Sequence, residues 1–253
     1  MRKIRVTVFC EHNQDKHEPV KSVYPEGMHA AIAGAFDDSE FDVTIATQDM
    51  PMHGLNDEVL DGTDVLFWWS HIDNHLVDDR VVNAVCKRVV QDGMGFVALH
   101  SAAFSKPWQR LLGIEFEAGD WGRFRTMPKG ERERLWVITP GHPICQGIAD
   151  CIDIPKDEMY GEPMFIPDPD KLLFIAWWEG GDVCRSGVLY DRGRGKVFGF
   201  TPGHETFPIY YQEEIRQVLR NAAKFMAPNQ GMVVQKGDGH LSGDPREDLT
   251  HCT

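Results

Sequence analysis

Reactive side chains in this chain gather where short apolar runs end. Glu11 and His12 follow Ile4–Cys10, and His71 follows Trp69. His100 and Ser101 close the run from Gly95, and His204 and Glu205 follow Lys196–Thr201. Imidazole titrates near neutrality, moves protons in both directions and ligates transition metals. Carboxylates add a base, an orienting partner or a further ligand. Separate segments that each end in such groups predict one shared polar site, with His29 joining from the first helix.

Two chemistries suit this set. In one, His29, His71, His100 and His204 hold a divalent metal, zinc or another transition ion, since imidazole favours these over calcium. His71-Ile-Asp-Asn-His75 has the spacing of a helical ligand pair but lies in a loop after a strand. In the other, Leu99-His-Ser-Ala-Ala103 places Ser101 between a strand and a helix, as in nucleophile elbows. His204 would be its base and Glu205 the orienting acid. Ser101 reads equally as a helix cap. Glu158-Met-Tyr-Gly-Glu162 puts two acids and a tyrosine in a segment without core periodicity, suited to acid–base work or to sugar hydroxyls. Arg192-Gly-Arg-Gly-Lys196 resembles a phosphate loop, but it lies between two strands and reads as a hairpin turn, so no nucleotide cofactor is expected.

These residues need elements to position them. Ile4–Cys10, Phe41–Thr47, Asp64–Trp69 and Gly95–His100 read as strands, the third apolar throughout as in a sheet covered on both faces. Helices are expected from Pro25 or Glu26, from an Asn56 cap, along Val77, Val81, Val85 and Val89, and over Phe104–Leu112. Strand and helix alternate four times, which predicts an α/β fold: a doubly wound, mostly parallel sheet with helices on both faces. Beyond it, residues 115–134 read as a loop or insertion, with Lys129–Arg134 a solvated face. Leu135–Thr139 and Lys171–Trp178 read as strands, and Ser186–Tyr190 with Lys196–Thr201 as a hairpin. Gln212–Met226 reads as a helix with Ile215, Val218, Leu219, Ala222, Ala223 and Met226 on one stripe. Residues 1–227 form one expected domain, and 228–253 a polar tail or arm.

Composition narrows the partners. With 26 basic and 39 acidic residues among 253, the formal charge is −13, which argues against nucleic acid and anionic membranes. No stretch approaches the roughly 20 apolar residues of a membrane span. The N-terminus lacks a signal-peptide pattern, and the six cysteines show no paired motif, so a cytoplasmic chain with free thiols is expected. A homodimer is the default assembly.

The strings Tyr24-Pro-Glu-Gly-Met-His29, Trp68-Trp-Ser-His71, Ala98-Leu-His-Ser101, Gly141-His-Pro-Ile144, Glu158-Met-Tyr-Gly-Glu162 and Gly195–Glu205 resemble the ThuA (trehalose utilisation) family. The resemblance runs from about residue 4 to residue 227. It implies a flavodoxin-like fold similar to class I glutamine amidotransferases. Those carry a cysteine at the elbow, where this chain has His100-Ser101. It also implies a carbohydrate partner, trehalose or a related keto-disaccharide, and hydrolase, lyase or isomerase chemistry. On that basis His100, His204, Glu158, Ser101 and Glu205 are the expected catalytic set. Glu11, Tyr160, Glu162, Arg185 and Trp69 are expected to face substrate. The alternatives are a sugar-sensing module without turnover and a serine-dependent hydrolase using Ser101 and His204.

Overall fold

The computed structural model describes residues 2–114, 123–125 and 129–228. The expected tail and most of the expected insertion lie outside the described residues. The chain starts with β1 (Ile4–Cys10), then α1 (Glu18–Val23) and α2 (Met28–Ala33), then β2 (Phe41–Thr47). Next come α3 (Asp57–Asp61), β3 (Val65–Trp69), α4 (Asp79–Lys87), β4 (Gly95–Leu99) and α5 (Lys106–Leu112). Asn56 caps α3 by accepting from Val59 N–H, and Asp78 caps α4 through Arg80 N–H. Val77, Val81, Val85 and Val89 are all buried, so the four-residue stripe faces the core as its spacing requires.

The remaining elements are β5 (Arg123–Arg125), β6 (Glu131–Val137), β7 (Cys151–Asp157), β8 (Met159–Gly161), β9 (Lys171–Trp178), β10 (Val183–Arg192), β11 (Gly195–Phe200) and α6 (Glu213–Met226). The nine-stranded sheet has the order β2-β1-β3-β4-β11-β10-β9-β6-β7. β2, β1, β3, β4 and β11 run parallel, while β10, β9, β6 and β7 continue antiparallel. The fold is α/β with a mixed sheet, its parallel half nearest the expectation. β5 and β8 pair in a separate small sheet. Strand order reverses at β1, which has β2 on one side and β3 on the other, and ligands bind at the carboxyl ends beside such a switch.

Several local expectations shift. The first helix splits in two, with α1 in a stretch read as loop, and Pro25 falls in the connection rather than in a helix. Ser105, not Ser101, caps α5, by accepting from Trp108 N–H. Lys129–Arg134 is not wholly solvated, because β6 alternates and buries Glu133 completely. β7 escaped notice because Asp153, Pro155 and Lys156 interrupt it; a proline is tolerated there because β7 is an edge strand. α6 buries its whole predicted stripe.

The hairpin between β10 and β11 closes through Gly193 at φ 61, a conformation that favours glycine. Behind it, a Cβ on Gly195 would lie 2.5 Å from the carbonyl oxygens of both Met94 and Val89. Backbone cannot swing away as a flexible side chain does. Gly195→Ala is therefore expected to cost about 1–3 kcal/mol in urea unfolding, in the range for overpacking. Gly141→Ala, with nothing within 4 Å of its Cβ, should stay within about 0.5 kcal/mol of wild type.

Candidate active site

Three imidazoles from three strand ends meet. His71 follows β3, His100 follows β4 and His204 follows β11. Ring centroids are 6.0 Å apart for His71–His100, 6.0 Å for His71–His204 and 5.5 Å for His100–His204. Glu158, just past β7 at the edge of the antiparallel half, and Tyr160, on β8 of the small sheet, join them.

His100 occupies the turn out of β4 with φ 50. The residue in the strained elbow position is thus the histidine, and Ser101 follows it. A carbonyl only accepts, so His100 Nδ1–H donates to Thr201 O at 3.0 Å. Its Nε2 then faces Glu158 Oε2 and the Tyr160 hydroxyl, each at 3.3 Å. Burial opposes a charge on His100, but the hydrogen bond and charge of Glu158, aided by Asp157 and Glu205, raise it above the ordinary histidine value.

A directional chain runs from His71 to Glu158. Tyr160 donates its single hydroxyl proton to Glu158 Oε2 at 2.9 Å. The 3.1 Å contact between Tyr160 and Ser101 therefore needs Ser101 as donor. Ser101 has then spent its own proton, so the 2.7 Å bond to His71 needs His71 Nδ1–H as donor. His71 Nε2 is left with a lone pair. Burial and the charge of Glu158 push the Tyr160 hydroxyl well above the usual tyrosine value.

His204 has the opposite tautomer. The backbone N–H of Thr206 donates to its Nδ1 at 3.2 Å, so the proton of the neutral ring is on Nε2, 3.9 Å from Glu158 Oε1. Burial, reinforced by the charge of His100, lowers His204 to about 4. The Thr206 hydroxyl also meets Nδ1, at 2.9 Å. Glu205, the expected orienting acid, stays 3.6 Å away, and Thr206 orients the ring instead.

Asp157 was missed in the sequence and holds the site together. It accepts from the backbone N–H groups of Glu158, Gly203 and His204 at 2.8, 2.9 and 3.1 Å. Complete burial raises it to about 6, against the opposing charge of His100. Its position next to Glu158 was the only sequence signal.

Other expected site residues have different roles. Glu11 Oε2 accepts from the N–H groups of His71 and Asp73 at 2.7 and 2.9 Å, so it shapes the His71 loop. Trp69 is completely buried and donates to Gly203 O at 3.1 Å, which leaves no ring face for a sugar. Glu162 and Arg185 bond each other at 2.8 Å, outside the imidazole group. His71, not His204, is the ring bonded to Ser101. His29 does not join the three imidazoles but lies against His12, with ring centroids 5.2 Å apart.

The metal expectation can be tested on donor chemistry. Ligand atoms of His71, His204 and Glu205 lie within 4.8 Å of one another. In the tautomer set by Thr206, His204 accepts at Nδ1 and carries its proton at Nε2, so an ion there would have to displace that proton. His100 donates at Nδ1 and faces Glu158 at Nε2. Of the expected metal set, His29 lies apart and His100 is engaged at both nitrogens, so the group that could hold an ion is His71, His204 and Glu205, whose Oε2 is buried without a hydrogen-bond partner.

The family model for trehalose utilisation, ThuA, matches residues 5–226. No curated protein matches the chain. Among solved structures, a ThuA-like protein of Parabacteroides merdae is similar at 16% identity and TM-score 0.65, covering 90% of this chain and 92% of that one. One from Bacteroides uniformis is similar at 15% identity and TM-score 0.61, covering 87% and 89%. A cytoplasmic protein of Salmonella typhimurium has 14% identity and TM-score 0.56, covering 89% and 100%. At these identities the likeness is one of fold. Because the family model spans nearly the whole described chain, including every histidine of the cleft, this protein belongs to the ThuA (trehalose utilisation) family.

Proposed function

We propose that this protein is an enzyme that moves protons on a carbonyl-bearing disaccharide derivative, of the kind that trehalose utilisation would supply. The observation that carries the reading is the meeting of His71, His100 and His204 around Glu158 and Tyr160. A keto-sugar needs a base at the carbon beside its carbonyl and a hydrogen-bond donor at the carbonyl oxygen. His71 Nε2 supplies the base. As it takes the substrate proton, its Nδ1 proton can pass to Ser101, that of Ser101 to Tyr160, and that of Tyr160 to Glu158. Each member gains one proton and loses one, and Glu158 is the sink. His204, held neutral, offers Nε2–H to the oxygen that becomes negative. A neutral imidazole in this role polarises a carbonyl without competing for the proton being moved. A charge on His100, favoured by Glu158 beside it, compensates the buried carboxylates.

Ser101 is a relay in this scheme and not a nucleophile. It is completely buried between His71 and Tyr160. Incubating the protein with trehalose and with disaccharides oxidised to a ketone should consume a keto-disaccharide; unchanged substrates would refute the assignment. Within that assay, His71→Ala and His204→Ala should each lower kcat by roughly 10²–10⁴-fold, the usual worth of a positioned acid or base. Ser101→Ala should cost less than His71→Ala. A serine nucleophile requires the reverse order.

The pH dependence follows from two rings. His204 becomes protonated only below about 4, and its Nδ1 can then no longer accept from Thr206. His100 is raised above its ordinary value by Glu158, so it holds its charge to higher pH than a free imidazole and loses it on the alkaline side. The contribution of His204 to kcat/KM should therefore be lost toward acid near pH 4, and that of His100 toward alkali above the ordinary histidine value. A profile with no fall on the alkaline side would contradict the role given to His100.

A further inference from the structure

Beside the cleft, at the carboxyl end of β1, lies a second group of ligand-type side chains that the proton chemistry does not use. His12, Asp15 and His29 each offer an atom, and these atoms lie within 4.8 Å of one another. Asp15 is on the short 3-10 turn Gln14–Lys16 and His29 is in the first turn of α2. Asp15 Oδ1 is fixed by the N–H of Met28 at 3.0 Å. Its other oxygen, Oδ2, is buried without a hydrogen-bond partner, on a side chain only 4% exposed. It faces His29 Nδ1, also buried and without a partner, at 3.9 Å, too far for a hydrogen bond.

Two unsatisfied polar atoms turned toward one another across that gap need a third group between them. His12 stands where it can contribute, with φ 59 and its Nδ1 3.2 Å from both oxygens of Asp49. Asp49 is in turn held by the Thr47 hydroxyl at 2.6 Å. A carboxylate that accepts from one ring nitrogen fixes the tautomer and frees the other nitrogen to ligate, as around protein-bound zinc. Gly27 makes room, since a Cβ there would come within 2.4 Å of the His29 ring.

We infer that His12, Asp15 and His29 form a binding site for a divalent transition metal of the zinc class, oriented by Asp49 and separate from the cleft of His71 and His204. Two imidazoles and one carboxylate suit zinc, cobalt or iron(II) and not calcium or magnesium. Three protein ligands leave a coordination position open for water or a substrate hydroxyl.

The test uses full-length protein stripped with a chelator and titrated with Zn²⁺ and Co²⁺ in a His204→Ala background, so that the cleft contributes no ion. One equivalent of metal should bind, and Asp15→Asn or His29→Ala in the same background should abolish stoichiometric uptake. Asp49→Asn should weaken affinity by roughly 10–100-fold, the usual effect of losing a carboxylate behind a ligating histidine. In case these variants fold poorly, stoichiometric Co²⁺ added to the wild-type protein should shift the ring signals of His12 and His29 in its NMR spectrum. Unmoved His12 and His29 signals, or uptake unchanged by Asp15→Asn, would overturn the site. Because the readout is metal binding, it stands or falls independently of turnover in the cleft.

Discussion

The candidate site depends on one buried carboxylate. Asp157 ends β7, the outermost strand of the antiparallel half, which is separated in the sheet from β11 by β10, β9 and β6. Yet its two oxygens take the N–H groups of Gly203 and His204, just past β11, together with that of Glu158. A buried anion without partners is costly, so these three donors determine where the chain can pass. They draw the end of β7 across to the parallel half and put Glu158 and Tyr160 next to His100. They also set the backbone that aims His204. Loss of this carboxylate would leave three buried donors unsatisfied, each costing about 1–3 kcal/mol.

That cluster of negative charge explains the opposite behaviour of two nearby imidazoles. His100 faces Glu158 directly, and the attraction outweighs its complete burial. His204 accepts a backbone N–H, which rewards the neutral ring, and the charge on His100 discourages a second. The two rings thus shift in opposite directions, His100 upward with Glu158 and His204 downward through burial and the charge of His100. The φ of 50 at His100 fits the same account. A left-handed conformation costs a non-glycine residue about 1–2 kcal/mol. The bonds to Thr201, Glu158 and Tyr160 hold it there.

Much of this was legible from residue order. Strand ends deliver reactive groups because apolar runs must stop where the sheet meets solvent, so His71, His100 and His204 could be placed on one rim without coordinates. The stripes of α4 and α6 followed from helical spacing alone. What stayed hidden was pairing across long separations. Glu11 looks like a free acid until its oxygen meets two N–H groups, 60 and 62 residues further along the chain. Trp69 looks like a sugar platform until its indole meets Gly203, and Glu162 and Arg185 look like two ligands until they bond each other. Tautomers were hidden for the same reason. The proton positions of His71 and His204 depend on Ser101 and on the N–H of Thr206, which no spacing reveals.

The end of β1 shows how adjacent residues can serve different tasks. Glu11 turns toward the loop after β3 and secures His71 through two N–H groups. His12, the next residue, has a positive φ and turns toward Asp49 and His29. Both residues lie just past β1, and the positive φ of His12 turns its side chain away from that of Glu11. Because strand order reverses at β1, the strand borders the cleft on its β3 side and meets α2 and β2 on the other. Asp73 links the two sides, receiving the Asn13 amide at 2.6 Å and donating its own N–H to Glu11. Covalent and hydrogen bonds thus run without a break from His12 and Asn13, through Glu11 and Asp73, to the loop that carries His71.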